Sequence, residues 1–393
     1  MKKNNNIINL SNLSTTVVLL LTFTFVACTN SDVVEPILDQ QKSISFVGSM
    51  QKEVAQTRAE RGLEEVLDNK SFKAWGYKNT ALSGDDYTDY QLVMSGYTVS
   101  YETSAGSDTN TRNWEYVGKG TNQYIKYWDY SAFAYRFFAY AIGNATADPA
   151  TNPSEVTVDE TDDTQITFIA AVDASTEATV NAAPYFSELW FSNDKTSDYG
   201  KPVTLRFLKP FARVRFLFKF VDGLDFGREK LSHIRFYPTP DPGEGTAPQI
   251  ATAGNVSITY PLKGTGTEES WTITSTGTID AFTIDWYTEP NPADIPAGVP
   301  ADALPTTWPN TPEKWYYVLP APSQGSYTLD VAVVTDEVKS ATVPATYMKW
   351  EAGFEYTYVF RITESGGLII DVIQVAVDQW TYVKTIDHEV YNW

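Results

Sequence analysis

Apolar and polar residues alternate along the chain from residue 92 onward, and the apolar positions are rich in aromatic and β-branched side chains. A period of two is typical of strands that bury one face, and it does not fit a helix. It is clearest in residues 212–220, where Ala, Val and Phe share one face while Arg213, Arg215 and Lys219 occupy the other. The same alternation recurs at residues 97–101, 327–333 and 356–362. We therefore predict an all-β protein built from β-sandwiches.

Helical periodicity is scarce. Residues 59–68 are the one stretch that fits a short helix, with Leu63, Val66 and Leu67 on one face, and Gly62 weakens it. Residues 289–313 contain seven prolines and cannot join the interior of a sheet. We predict a long surface loop there, and few short helices in the whole chain.

A polar stretch at residues 192–202, SNDKTSDYGKP, interrupts two aromatic, strand-like regions. We place a domain boundary in it. The chain would then contain an N-terminal β-sandwich domain at residues 44–198 and a C-terminal β-sandwich domain at residues 199–393. Each is long enough for the roughly seven short strands of one sandwich.

Cys28 is the one cysteine of this 393-residue chain, so it can form no intramolecular disulfide and no cysteine cluster for zinc. It follows an apolar run, residues 17–27, that is too short to span a bilayer and has lysines upstream, as in a secretory signal peptide. Residues 25–28, Phe-Val-Ala-Cys, resemble a bacterial lipobox, whose cysteine is acylated. We predict a signal peptide at residues 1–27, lipidation of Cys28 and a lipid-linked tether at residues 28–43; ordinary signal cleavage nearby is the alternative.

Removing residues 1–27 leaves 27 basic and 49 acidic residues, a net charge of −22. A chain this acidic is a poor partner for nucleic acid. Because no second long apolar segment follows, we expect the rest of the chain to lie in solution outside the cytoplasm.

Residues that carry catalysis are sparse. His233 lies in a strand pattern and His388 in the C-terminal tail, and neither has the spacing of a metal site or a catalytic motif. The acidic runs at residues 85–86 and 159–163 do not fit a calcium loop and are interpreted as solvated loops. No glycine-rich phosphate loop precedes a helix. We predict no metal, no cofactor and no enzyme activity.

Eleven tryptophans and twenty-four tyrosines leave one binding function open, because exposed aromatic rings stack on sugars. Most of these rings alternate within strands, as do Trp128, Tyr130 and Tyr135. Packing in a core is therefore the favoured interpretation, and a sugar-binding platform is the alternative.

Four blocks along the chain carry a family resemblance through their order and spacing. The first runs from Ile44 to Asn79 and contains Ile-Ser-Phe, then Thr-Arg-Ala, then FKAWGY. The others are YWD at 127–129 with YRFFAY at 135–140, LRFLKPFARV at 205–214, and a late strand at 375–380 that ends in Trp. Together they resemble the fimbrillin family of Bacteroidales, of the Mfa-like type. Lys209 stands where that family commonly has a histidine, and residues 62–65 form a longer polar insertion than the family pattern has.

The resemblance implies two tandem transthyretin-like (Greek-key) β-sandwich domains and assembly into surface fimbriae. It further implies a lipoprotein precursor that an arginine-specific protease cuts after the first strand. On this chain the removable strand contains Ile44 and Phe46, and the cut follows Arg58, with Arg61 as the alternative site. Arg58 can also be interpreted as an exposed loop arginine without this role.

The groove that such a cut opens would accept an extended strand from another subunit. The tail of this chain, residues 381–393, is apolar enough to be a donated strand, and it could equally close its own domain. The residues concerned are Tyr382, Val383, Ile386, Val390, Tyr391 and Trp393.

The sequence thus predicts a structural, adhesion-related fimbrial subunit at the cell outer membrane and in the fimbrium. Its expected partners are other fimbrial subunits, in a homo- or hetero-polymer, an arginine-specific protease during maturation, and the outer membrane through the lipid. A host or bacterial surface ligand is left open. The alternative is a non-polymerising surface lipoprotein that binds glycans through exposed aromatics; a weaker third interpretation is an enzyme with scattered carboxylates.

Overall fold

The computed structural model describes residues 42–50, 62–81, 89–103, 113–144, 156–220, 231–239, 248–284, 314–321, 325–333, 338–363 and 369–379. These ranges contain one α-helix, α1 (Glu177–Ala182), and two 3-10 turns, Leu63–Glu65 and Ala345–Tyr347. The first ten strands are β1 (Phe46–Ser49), β2 (Ser71–Asn79), β3 (Tyr90–Tyr101), β4 (Trp114–Glu115), β5 (Ala134–Ala141), β6 (Thr157–Asp159), β7 (Gln165–Asp173), β8 (Tyr185–Ser187), β9 (Trp190–Ser192) and β10 (Val203–Leu208). The next ten are β11 (Ala212–Phe220), β12 (Leu231–Pro238), β13 (Ile250–Pro261), β14 (Ser270–Ile279), β15 (Phe282–Ile284), β16 (Tyr316–Val318), β17 (Tyr327–Val333), β18 (Val338–Val343), β19 (Phe354–Thr363) and β20 (Ile369–Gln379).

The largest sheet has eight strands in the order β1-β10-β8-β5-β2-β3-β4, with β9 beside β5. Its pairs are antiparallel except β1 and β10, which run parallel. Strand β5 is buried at every position, because both faces of this sheet are covered. On one face Phe137 and Ala139 lie in what we call the N-terminal core, and on the other Phe138 and Tyr140 lie in the central core.

The central core lies between the eight-stranded sheet and a second sheet of order β14-β13-β7-β6. The ring of Phe138 in β5 stacks on Tyr260 in β13 with centroids 4.3 Å apart, and Trp75 in β2 contacts Phe168 in β7 at 4.8 Å. The N-terminal core has no second sheet among the described strands; loops and the chain start cover that face, with Ile44, Leu63 and Trp128 among the buried residues.

Two further four-stranded sheets, β16-β11-β19-β20 and β15-β12-β17-β18, enclose the C-terminal core. Phe216 of β11 packs on Phe236 of β12 with ring centroids 4.9 Å apart. Trp350 is fully buried there; its indole N–H donates to the Tyr358 hydroxyl at 3.0 Å, which donates to the carbonyl of Tyr347 at 2.7 Å. The buried polar atoms of Trp350 and Tyr358 are therefore satisfied by residues of the same sandwich.

The all-β sandwich prediction is confirmed, and each strand predicted from alternation lies in an observed one, namely β3, β11, β17 or β19. The helix predicted at residues 59–68 is, in its described part, a single 3-10 turn at Leu63–Glu65. Helix α1 was missed, although Thr176 caps it by accepting the N–H of Thr179 at 3.1 Å. The domain boundary stays a prediction, although β10, β13 and β14 follow it in sequence and complete the sheets of β5 and β7. The predicted proline-rich loop, residues 289–313, lies outside the described ranges.

Candidate strand-binding groove

The N-terminal segment, defined as residues 42–50, is hydrogen-bonded on two sides. Its second half, β1, runs parallel to β10, with Phe46 opposite Val203, and the N–H of Val203 donates to the carbonyl of Ser45 at 2.8 Å. Its first half pairs with a different stretch: the N–H of Ile44 donates to the carbonyl of Lys126 at 2.8 Å. The N-terminal segment thus lies between β10 and the stretch around Lys126, in what we call the groove.

The ring of Phe46 packs at the bottom of the groove. It is 1% exposed and meets the edges of Phe72, Tyr116 and Phe137 at centroid distances of 6.1, 6.0 and 5.7 Å. Ile44 beside it is fully buried. Burial of such side chains contributes about 1.5–3 kcal/mol each, so these two residues hold the segment in place.

Tyr116 supplies a polar contact inside the groove. Its hydroxyl donates to the carbonyl of Ile44 at 3.0 Å and accepts the N–H of Lys126 at 3.0 Å. The carbonyl of Lys126 lies 3.4 Å from the same hydroxyl. Tyr116 therefore has a second acceptor within the fold when Ile44 is absent.

The chain leaves and re-enters the described structure at adjacent places. Ser49 and Gly62 form an isolated antiparallel bridge, and residues 51–61 connect them. Arg58 and Arg61 belong to these connecting residues and so lie outside the described ranges. The lipidation residue Cys28 and the predicted tail residues 381–393 also lie outside them. Those roles stay predictions, and so does removal of the first strand. The strand itself is observed at Phe46–Ser49, two residues after its predicted start at Ile44, and both Ile44 and Phe46 are buried.

Two searches found no match: no family model and no curated protein matches the chain. Solved structures do match. A fimbrial protein from Bacteroides vulgatus ATCC 8482 is 13% identical, with 86% of this chain and 99% of that chain covered and a TM-score of 0.41. A candidate cell adhesion protein from Bacteroides uniformis ATCC 8492 is 15% identical, with 87% of this chain and 99% of that chain covered and a TM-score of 0.38. A fimbrial assembly protein from Parabacteroides distasonis ATCC 8503 is 11% identical, with 86% of this chain and 99% of that chain covered and a TM-score of 0.31. The chain is similar to fimbrial proteins of Bacteroidales.

The resemblance drawn from the four sequence blocks is confirmed at this level.

The aromatic residues divide between core and surface. Trp128 and Tyr135 are buried, as the favoured interpretation predicts, and Trp128 stacks on Tyr199 at 5.1 Å. Tyr130 is at the surface, as are Tyr124 and Tyr127 on the same loop. None of the seven tryptophans within the described ranges is exposed.

The other candidate residues that the structure describes lie on elements that do not form the groove. Asp159 and Asp162 each accept hydrogen bonds from a threonine two residues on, which lowers the pKa of both carboxyl groups and is typical of solvated turns. His233 lies in β12, and His388 lies outside the described ranges, as do residues 85–86. Within the described ranges there is no cluster of three metal-ligating side chains, and no helix long and apolar enough to cross a membrane.

Sequence reasoning missed two buried cations. Arg136 in β5 is fully buried and donates to the carbonyls of Leu262, Gly264 and Gly266 at 2.5, 2.9 and 2.7 Å, which ties the β13–β14 loop to the eight-stranded sheet. The sequence offered one signal of this burial: Arg136 is the single charged residue in the otherwise apolar and aromatic stretch AYRFFAYA.

Lys209 is the second buried cation, and it lies between β10 and β11, where the chain passes from the eight-stranded sheet to the C-terminal sandwich. Its ammonium donates to the carbonyls of Asn181, at 3.0 Å, and Ala183 at the end of α1. It also lies 3.9 Å from the centroid of the Tyr185 ring. Burial lowers the pKa of Lys209 well below its usual value.

Proposed function

We propose that the protein is a structural subunit of a surface fimbria, and that the N-terminal segment is a temporary strand that a neighbouring subunit replaces. One observation carries this proposal: residues 42–50 complete the N-terminal core with Ile44 and Phe46, and residues 51–61, with Arg58 and Arg61, are their link to the rest of the described fold. The names of the similar fimbrial structures agree with a place at the cell surface.

Removing the N-terminal segment would expose both backbone and apolar surface. The edge of β10 would lose its parallel partner, and the carbonyl of Lys126 would lose the N–H of Ile44. An unpaired edge beside an apolar groove is a template for strand addition, because an incoming strand satisfies both at once. The same removal would separate the fold from Cys28 and its lipid.

The tether has the reach that a surface-displayed precursor requires. Thirteen residues, 29–41, separate Cys28 from residue 42. Fully extended, the chain from Cys28 to residue 42 would span about 50 Å. A lipid on Cys28 could thus hold the precursor at the outer membrane while the connecting residues 51–61 stay within reach of a protease.

The test changes both arginines to alanine in the full precursor. We expect the Arg58→Ala/Arg61→Ala protein to keep an acylated Cys28 and to remain monomeric, whereas the natural protein recovered from the cell surface begins at Ala59 or Gly62. N-terminal sequencing and size analysis of surface polymers measure both. Arg112→Ala is the matched control, since it removes an arginine elsewhere in the chain. Polymers formed by the double variant would contradict the cleavage mechanism.

A glycan-binding surface lipoprotein is the second candidate, and it is favoured by the exposure of Tyr124, Tyr127 and Tyr130 on one loop. Aromatic rings at the surface present faces on which sugars stack. If this function holds, polysaccharide binding is lost in Tyr124→Ala/Tyr127→Ala and retained in Tyr347→Ala, a change at an exposed tyrosine elsewhere. Equal binding by both variants would exclude this loop as the platform.

A further inference from the structure

Gly48 leaves no room for a side chain in the groove. It is buried, and a Cβ atom added there would lie 2.9 Å from Cβ and 3.0 Å from Cδ2 of Leu63, and 3.3 Å from Cζ2 of Trp114. Contacts this short require a neighbour to move, and the nearest one is a Cβ atom, fixed by its own backbone. Any side chain at this position therefore overpacks the site.

Leu63 has little freedom to give way. It is fully buried in the 3-10 turn Leu63–Glu65. Asn144 fixes the residues that follow this turn: its side-chain Nδ2 donates to the carbonyl of Val66 at 2.8 Å, and its Oδ1 accepts the N–H of Asp68 at 2.8 Å. Val66 and Leu67 are buried as well. The wall that faces Gly48 is thus anchored by packing and by hydrogen bonds.

The other inward positions of the segment require large side chains. Ile44 and Phe46 fill the N-terminal core, whereas Val47 between Phe46 and Gly48 is 40% exposed. A strand shifted by two residues would bring an aromatic ring to the position of Gly48, against Leu63. Register in a half-buried strand is set by which side chains the buried face accepts.

We propose that the groove selects its strand by three alternate positions, a large aliphatic residue, an aromatic residue and a glycine, in a strand parallel to β10. This inference rests on the proposed function and adds the chemistry of the partner strand. It assigns to Gly48 and Leu63 the role of a register stop: strands with a side chain at the third position are rejected.

The tail of this chain does not meet the rule, because residues 381–393 contain no glycine. In the register of β1 it therefore does not fit the groove of a second copy. Within the sequence the pattern occurs at residues 44–48 alone, and the proposed cut removes them. The fitting partner of a processed chain is therefore a different subunit that carries glycine two residues after an aromatic residue and four after a large aliphatic one. This commits the assembly at this groove to a hetero-polymer.

The test uses strand exchange on the full chain cut within residues 51–61 by an arginine-specific protease. The probe is a labelled peptide of residues 42–50, KSISFVGSM, which replaces the resident segment. We expect the peptide with Val47→Ala to exchange like the natural peptide, because Val47 faces outward. The peptide with Gly48→Val should bind about tenfold more weakly or worse, as expected for an overpacked buried site. A peptide of residues 380–393 should bind as weakly as the valine peptide.

Rescue separates a register stop from general damage. In a cut chain carrying Leu63→Gly, which removes both the Cβ and the Cδ2 that an added side chain would meet, the Gly48→Val peptide should regain much of its lost affinity, while the natural peptide should bind no better than before. In the uncut chain, Gly48→Val should make residues 42–50 exchange their amide hydrogens faster, and the added Leu63→Gly change should reduce this effect. Such a double-mutant cycle measures the interaction free energy between the two positions.

The outcomes distinguish the two proposals. If the natural peptide does not exchange at all, the proposed function fails, and the uncut Gly48→Val/Leu63→Gly pair still decides the register stop. If the natural and valine peptides bind equally, or Leu63→Gly rescues neither measurement, the register stop is overturned and strand replacement stands. Tight binding of the 380–393 peptide overturns the hetero-polymer assignment.

Discussion

The N-terminal and C-terminal cores are filled in different ways. The C-terminal core lies between two four-stranded sheets, and its buried Trp350 bonds to Tyr358 within the same sandwich. The N-terminal core takes Ile44, Phe46 and Met50 from the start of the described chain. The C-terminal core is thus closed by two sheets, and the N-terminal core by a short segment that precedes the connecting residues 51–61. If a cut in those residues releases the segment, as proposed, a well-packed segment is also replaceable, and its replaceability comes from connectivity and not from loose packing.

Phe46→Ala tests this comparison with the largest expected effect. Loss of a buried phenylalanine costs about 3–5 kcal/mol, and here the cost should fall on the N-terminal core alone. Hydrogen exchange should show residues 42–50 opening while the strands of the C-terminal core stay protected. Val47→Ala, at an exposed neighbour, is the control. Uniform loss of protection across both cores would show that they do not unfold separately.

Trp350→Phe tests the other side of the comparison. It removes the indole N–H that donates to Tyr358 in a buried site and should cost about 1–3 kcal/mol. Amide hydrogen exchange in the N-terminal segment should not change, because Trp350 belongs to the C-terminal core. Tyr347→Phe, at a ring that is 50% exposed, serves as control for thermal unfolding. Faster release of residues 42–50 would contradict the separation of the cores.

Lys209→Met addresses the passage between the two regions. Replacing a buried charge by an apolar side chain of similar length is expected to be neutral or stabilising by about 1 kcal/mol at pH 7. Because the pKa of Lys209 is lowered in the folded chain, the unfolded chain binds more protons, and wild-type stability should rise with pH up to the usual lysine pKa. That rise should be smaller in Lys209→Met. Equal slopes in chemical unfolding between pH 7 and 10 would show that Lys209 stays charged in its carbonyl pocket.

Asp129→Asn should have the smallest effect. Hydrogen bonds from Lys78 and Ser131 lower the pKa of the Asp129 carboxyl to about 2. Its stabilisation is therefore present above the ordinary aspartate pKa and is lost as pH falls from about 4 to about 2. The pair is partly exposed, so the expected loss at pH 7 is at most about 1 kcal/mol. Thermal unfolding at pH 7 and pH 2.5 should show the variant and wild type converging at the lower pH.

Local pattern was enough to predict much of the fold. Alternation located β11 and β17, and the sequence Ile-Ser-Phe located the first strand, β1, although removal of that strand stays a prediction. Alternation gave no help where both faces of a sheet are covered, as in β5, since every side chain there is buried. Nor could it show that β10, more than 150 residues away, is the partner of β1.

The groove itself depends on contacts that sequence does not report. Gly48 looks like any strand-end glycine until Leu63 is seen against it. Lys209 looks like a solvated lysine until the carbonyls at the end of α1 surround it. In each case the deciding neighbour comes from an element whose position only the folded chain supplies.

The bridge between Ser49 and Gly62 has a kinetic consequence. A cut anywhere in residues 51–61 removes none of the hydrogen bonds described for residues 42–50, so cutting and opening are two successive events. Between them the nicked chain would persist as a closed, non-covalent complex with a lifetime of its own. That lifetime would be set by the rate at which Phe46 and its neighbours leave the groove. With protease in excess, the rate of subunit supply would follow this first-order release and would no longer depend on the protease concentration.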